Sequence, residues 1–262
     1  MARIHGHPVW FELATGQGDL EAAGDFYRQV LGWQIGDSGM AGFAYHLATA
    51  DGDMVAGLME MPGDVAGMPP AWMVYFGVQD ADRAAADIRQ EGGRVFREPA
   101  DIPGTGRFAI VTDPQGAPFG ILRPDPMEGG GETRAFDQQK AAHGNWLELM
   151  SPDPAAGFDF YARLFGWRKS TAIDMGKMGS YQIFGHDGAD IGGMMGLGNA
   201  PHPCWLPYFG TNGVNPAVGR IRDAGGTVQH GPQEVPGGAH VAVAADPQGA
   251  RFAVVGPLEM TP

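Results

Sequence analysis

The sequence predicts an α+β fold that uses one β-α-β-β-β unit four times. Two observations predict it: an ordered set of internal repeats, and an apolar period that switches between that of strands and that of helices. Trp10-Phe-Glu-Leu13 returns as Trp146-Leu-Glu-Leu149, 136 residues later. Asp25-Phe-Tyr27 and Leu31-Gly-Trp33 return as Asp159-Phe-Tyr161 and Phe165-Gly-Trp167, at an offset of 134. Tyr75-Phe-Gly77 and Asp113-Pro-Gln-Gly116 return as Tyr208-Phe-Gly210 and Asp246-Pro-Gln-Gly249, at 133. Order is kept and the offset drifts by only three residues, so the chain is a duplication. Its halves define expected domains at 5–125 and 142–258, with 126–141 as linker. Pro124–Arg134 has the composition of a flexible connector. Arg134–Ala142 is polar and reads either as a short helix or as more linker.

Each element has a local reason. Val9–Ala14 alternates as a strand does. Asp19 then stands as a helix N-cap, and Phe26, Tyr27, Val30 and Leu31 form the apolar stripe. In the second half Asp153 is the cap, Pro154 the first helical residue, and Phe160, Tyr161, Leu164 and Phe165 the stripe. A Gly-Trp pair ends both helices, with Gly suited to the left-handed C-terminal position. Strands are expected at Phe43–Ala50 and Met54–Met59, around the turn Asp51-Gly-Asp53. Trp72–Val78 starts a second unit, with a helix at Asp82–Glu91 stopped by Gly92-Gly93. Strands then follow near Arg94–Glu98, Arg107–Thr112 and Pro118–Leu122. The second half repeats this with Trp205–Thr211, a helix capped by Asn215 and Pro216, and a stop at Gly225-Gly226.

Composition narrows the function. The 262 residues carry 17 Lys plus Arg against 30 Asp plus Glu, a net charge of −13. Phosphate-tracking nucleic-acid binding and anionic-membrane binding need the opposite balance, so neither partner is expected. Gly (43) and Pro (21) are abundant, but 44% apolar content makes them signs of tight turns rather than disorder. No run reaches the roughly 20 apolar residues of a membrane span, and Met1–Pro8 lacks the apolar core of a signal peptide. A cytoplasmic protein, monomer or homodimer, is expected. The single Cys204 excludes an intrachain disulfide and a thiolate zinc cluster.

Four such units, the Phe-Tyr…Leu-Gly-Trp helix end and the Asp-Pro-x-Gly turn resemble the vicinal oxygen chelate superfamily, which includes glyoxalase I, bleomycin-resistance proteins and extradiol dioxygenases. The resemblance is closest to its fused two-domain glyoxalase-like members. It implies two half-open barrels, each around a cavity, and a divalent metal held by His, Gln or Glu from the first and last strands of the units. At the positions that match those ligands stand Trp10, Trp146, Met73, Leu206, Gly120, Ala253, Ala56 and Gly192. None has a side chain that binds a hard cation. No metal or other cofactor is therefore expected, only a small-molecule ligand.

Strand alternation places Glu12 beside Trp10 and Glu148 and Met150 beside Trp146. It likewise joins Met73 to Tyr75 and Leu206 to Tyr208. An aromatic and Met-rich lining with a carboxylate suits a flat or amphipathic small molecule. The Trp and Tyr residues read as such a lining or as core. Glu12 and Glu148 read as ligand or structural hydrogen-bonding groups, as exposed edge residues, or as catalytic bases if desolvation raises their pKa. Arg107 and its repeat partner His240 are candidates for meeting an anionic ligand. His5-x-His7 is a two-ligand fragment, read as solvent-exposed or as a metal site with Glu12. The expected function is metal-independent binding of a small aromatic or amphipathic molecule, for sequestration or sensing. The alternative is a glyoxalase-like lyase, isomerase or dioxygenase-type enzyme using a Glu base or an unconventional metal site.

Overall fold

The computed structural model describes residues 4–40, 42, 44–63, 68–125 and 134–260. The first half consists of β1 (Pro8–Thr15), α1 (Leu20–Leu31), β2 (Gln34–Asp37), β3 (Tyr45–Ala50) and β4 (Asp53–Glu60), then β5 (Ala71–Gly77), α2 (Ala81–Gln90), β6 (Arg94–Ile102), β7 (Gly106–Thr112) and β8 (Pro118–Pro124). The second half repeats it as β9 (Gly144–Met150), α3 (Pro154–Phe165), β10 (Arg168–Asp174), β11 (Ser180–His186) and β12 (Ala189–Met195), then β13 (Cys204–Gly210), α4 (Val214–Asp223), β14 (Thr227–Glu234), β15 (His240–Ala245) and β16 (Arg251–Gly256). The four β-α-β-β-β units are all present. They form two eight-stranded mixed sheets, ordered β2-β3-β4-β1-β5-β8-β7-β6 and β10-β11-β12-β9-β13-β16-β15-β14.

Local chemistry explains most boundaries. Gly32 and Gly166 end α1 and α3 at φ 75°, a left-handed position where a β-carbon is disfavoured. Asp153 caps α3 through Ala156 N. Two caps differ from expectation. Asp19 stands at the N-cap of α1 but makes no side-chain bond to it. The N-cap of α4 is Gly213, and Asn215 lies inside the helix with its amide on the Glu259 carboxylate. Phe43, where a strand was expected to start, and 126–133 of the connector lie outside the described residues. Arg134–Ala142 contains no helix; Phe136 bridges to Gly144, and Gln138 and Asn145 each donate a side-chain amide to the other's backbone carbonyl.

Compact packing divides the chain differently from the sheets. One unit contains Met1–Val9, Met73–Glu132 and Leu147–Leu206; the other contains Trp10–Trp72, Thr133–Trp146 and Pro207–Pro262. Each unit therefore draws one β-α-β-β-β segment from each half. In the first, Phe76, Phe119, Tyr161, Phe165, Trp167 and Trp205 form a buried ring cluster with centroids 5.1–6.4 Å apart. In the second, Phe11, Tyr27, Trp33, Trp72, Phe209 and Phe252 do the same.

The repeated motifs meet inside these clusters. Tyr161 donates its hydroxyl to Asp113 (3.2 Å) and accepts Trp205 Nε1 (2.9 Å). Tyr27 does the same with Asp246 (3.1 Å) and Trp72 (2.9 Å). Each Asp also closes its own Asp-Pro-Gln-Gly turn, accepting from Ala117 N or Ala250 N at 2.8 Å. Burial raises the pKa of both carboxyls, and raises both phenols well above their ordinary value. The phenols stay protonated and act as donors. These conspicuous motifs are thus structural: each fixes a helix of one half to a turn of the other.

Candidate functional site

Burial along β1 alternates, with Phe11 and Leu13 at 0% exposure and Trp10, Glu12 and Ala14 facing the other way. β1 pairs in parallel with β4 so that Glu12 is level with Gly57, and β3 sets Leu47 opposite Gly57 and Tyr45 opposite Met59. Trp10, Glu12, Tyr45 and Gly57 therefore share one face. On it, Trp10 Nε1 donates to the Tyr45 hydroxyl (2.9 Å), which donates to Glu12 Oε2 (3.0 Å). Burial pushes the Tyr45 pKa far above its ordinary value, and the Glu12 charge adds to this. Tyr45 is thus a permanent donor to the carboxylate. Its ring lies over Gly57, where any β-carbon would overlap the phenol.

The other half repeats the construction. Gly193 is level with Glu148, and the Tyr181 ring occupies the space a β-carbon on Gly193 would need. Glu148 is buried at 8% exposure. Tyr45 and Tyr181 are residues that sequence reasoning missed. The signal was present, because Tyr45/Tyr181 and Gly57/Gly193 are both separated by 136 residues, like Trp10/Trp146.

The remaining candidates are placed as follows. Trp146 and Met73 are half-buried, while Met150, Leu206, Tyr75 and Tyr208 are buried. Tyr75 is level with Gly120 and lies over it, and Tyr208 is level with Ala253. Arg107 grips Asp82 through two nitrogens (2.7 and 2.8 Å) and reaches Asp101 at 3.1 Å, an ion-pair arrangement on the surface. His240 starts β15, half-buried, with Nδ1 lacking a hydrogen-bond partner among the described residues. His5 and His7 do not join Glu12. His5 Nε2 meets Leu164 O (3.1 Å), and His7 Nε2 meets Asp187 Oδ2 (3.0 Å).

Register corrects two of the positions matched to metal ligands. Ala56 pairs with Ala48 and is wholly buried, and Gly192 packs against the Phe184 ring; both point away from Glu12 and Glu148. The residues on the correct face are Gly57 and Gly193. The chemistry of the set does not change: Trp10, Gly57, Met73 and Gly120 in one half, and Trp146, Gly193, Leu206 and Ala253 in the other, offer no imidazole, carboxylate or amide. At Gly57, Gly120 and Gly193 a tyrosine ring fills the space where a liganding side chain would start. These residues do not fit a divalent ion at the family's position.

The model of the Glyoxalase/Bleomycin resistance protein/Dioxygenase superfamily matches residues 12–121 and 144–254, nearly the whole of both halves. The chain belongs to this superfamily. Among its relatives, the anthracycline biosynthesis protein DnrV of Streptomyces peucetius is 33% identical over 268 residues, covering 95% of this chain and 93% of that one. The Mycobacterium tuberculosis protein named "Putative glyoxylase CFP32" is 31% identical over 262 residues, covering 96% and 95%. Solved superfamily structures share the fold. The Mn(II)-bound glyoxalase from Novosphingobium aromaticivorans superposes with a TM-score of 0.67 at 17% identity, covering 97% of this chain and 83% of that one. Homoprotocatechuate 2,3-dioxygenase from B. fuscum gives 0.67 at 19%, covering 95% and 70%. Among the described residues, no helix is long and apolar enough to cross a membrane.

Proposed function

We propose that this superfamily member binds a small aromatic or amphipathic molecule, without a metal at the conventional position, on the face that carries Trp10, Tyr45 and Glu12 and on its copy near Glu148. The observation that carries this reading is the bonded series Trp10–Tyr45–Glu12, whose Trp10 stands at a position matched to a family chelator. An indole offers a flat apolar surface, and a carboxylate already held by a phenol offers a fixed acceptor for a ligand hydroxyl or amine. A relative named for anthracycline biosynthesis fits such a ligand.

The test is a thermal-shift and calorimetric screen of hydroxylated aromatic compounds against full-length, tag-free protein, run with and without EDTA. A hit whose affinity is unchanged by EDTA and weakened about tenfold or more by Glu12→Gln or Glu148→Gln supports the reading; loss of one charged hydrogen bond corresponds to that change. Binding that needs added Mn2+, Fe2+, Ni2+ or Zn2+ and ignores both substitutions overturns it. The burial of Glu148 favours a second reading, a base in glyoxalase-like proton transfer. It requires turnover that Glu148→Gln abolishes while ligand affinity stays intact.

A further inference from the structure

We propose that His7, His186 and Asp187 form a binding site for one borderline transition-metal ion, away from the family's metal position. One nitrogen of each imidazole and one carboxylate oxygen lie within 4.8 Å of one another, the only such group found among the described residues. His7 Nε2 is 3.0 Å from Asp187 Oδ2, and His186 Nε2 is 3.9 Å from the same oxygen. The two rings lie 4.5 Å apart, centroid to centroid. Ligand atoms around a tetrahedral zinc sit roughly 3.4 Å apart, given bonds of about 2.0–2.2 Å. Small side-chain rotations would therefore close the site. Two imidazoles and one carboxylate suit Zn2+, Ni2+ or Co2+ better than Mg2+ or Ca2+. Partial exposure of His7 (30%) and Asp187 (57%) leaves room for water to complete the shell.

His186 Nε2 donates to His5 O (2.7 Å), a bond that ligation through this nitrogen would replace, and the loop before β1 is held by Trp167 Nε1 on Gly6 O at 2.8 Å. Asp187 occupies the hairpin tip between β11 and β12 at φ 49°, a turn conformation Asp tolerates. The duplication supplies an internal comparison. At the corresponding hairpin of the first half, where Asp51 is the repeat partner of Asp187, the nearby Asp53 faces His143 (3.4 Å) and the Lys140 ammonium (2.5 Å). An ammonium there does what a bound cation would do. The residue 136 places before Lys140 is Ile4, and the second half sets an imidazole, His186, at its hairpin instead. A bound ion would staple the segment before β1 to that hairpin.

The experiment titrates ZnCl2 and NiCl2 into EDTA-stripped, tag-free, full-length protein by calorimetry. The expected result is one ion per chain, with affinity reduced at least about tenfold in both His7→Gln and Asp187→Asn. Asn keeps the left-handed turn, so the second variant separates ligation from folding; far-UV circular dichroism checks both. At about a hundredfold excess of ion over its Kd, the melting temperature rises by roughly 5 °C in the parent and by none in the variants. Absence of binding, or binding that survives in both variants, overturns the proposal. Binding lost instead in Glu12→Gln or Glu148→Gln places the ion at the ligand faces, which overturns this proposal and the preceding one together. Loss in the His7 and Asp187 variants alone leaves the ligand reading untouched.

Discussion

Replacing Tyr27 by Phe removes one oxygen from the second unit's core and leaves the ring that packs against Trp33, Trp72 and Phe252. That oxygen both accepts from Trp72 Nε1 at 2.9 Å and donates to Asp246 Oδ2 at 3.1 Å, and Tyr27 has no exposed surface. Water does not reach the groups left behind. An unsatisfied buried donor or acceptor costs about 1–3 kcal/mol, and the two together are partly offset because the variant has no phenol to desolvate. The expected loss is about 3 kcal/mol. Urea unfolding monitored by tryptophan fluorescence should show the midpoint fall with m unchanged, since the surface exposed on unfolding is the same. In thermal terms the fall is roughly 6–12 °C for a protein of this size. Tyr161→Phe should behave alike, because Asp113 and Trp205 surround it in the same way. A loss below about 0.5 kcal/mol in both variants would refute the view that these relays hold the two halves' elements together.

Two further outcomes follow from the same geometry. Gly57→Ala forces the Tyr45 phenol off its seat, so stability should fall by about 1–3 kcal/mol and ligand affinity should fall with it; unchanged values in both measurements would show that Tyr45 does not depend on that space. Asp113 has its carboxyl held above the ordinary carboxylate range by burial, so its favourable share of stability is complete below the unfolded-state value and is lost as pH rises through the raised, folded-state value. Asp113→Asn never ionises. The melting-temperature difference, variant minus parent, should therefore climb between about pH 3 and pH 7, and a difference that falls over that interval in scanning calorimetry would contradict the assignment.

Much of the architecture was legible because it rests on local, repeated signals. The Gly-Trp helix ends appear as left-handed glycines, and the alternation along Trp10–Ala14 appears as a strand with one buried side. What escaped detection was non-local. Nothing near Tyr27 indicates that its hydroxyl finds an Asp 219 residues away. Glu12 was visible as a polar residue among apolar ones, but its partner Tyr45 lies on another strand, in a register that only the backbone pairing fixes. The misplacement of Ala56 and Gly192 has the same origin: a slip of one residue moves a side chain to the opposite face, and the unbroken buried runs of β4 and β12 do not reveal that slip. Asn215 was preferred as a cap on propensity, while the backbone used Gly213 and left the amide to Glu259.

The exchange of tyrosines and aspartates between halves restricts how this gene can be shortened. A chain stopped in the connector would keep Tyr27 but not Asp246, and Asp113 but not Tyr161, so α1 would lose the anchor of its phenol and the Asp113 turn would lose the phenol that donates to it. Such a fragment recovers its missing partners only from another copy of the second half or from a twin of itself. The fused arrangement thus makes permanent, at a one-to-one ratio, a pairing that separate polypeptides would have to find by diffusion.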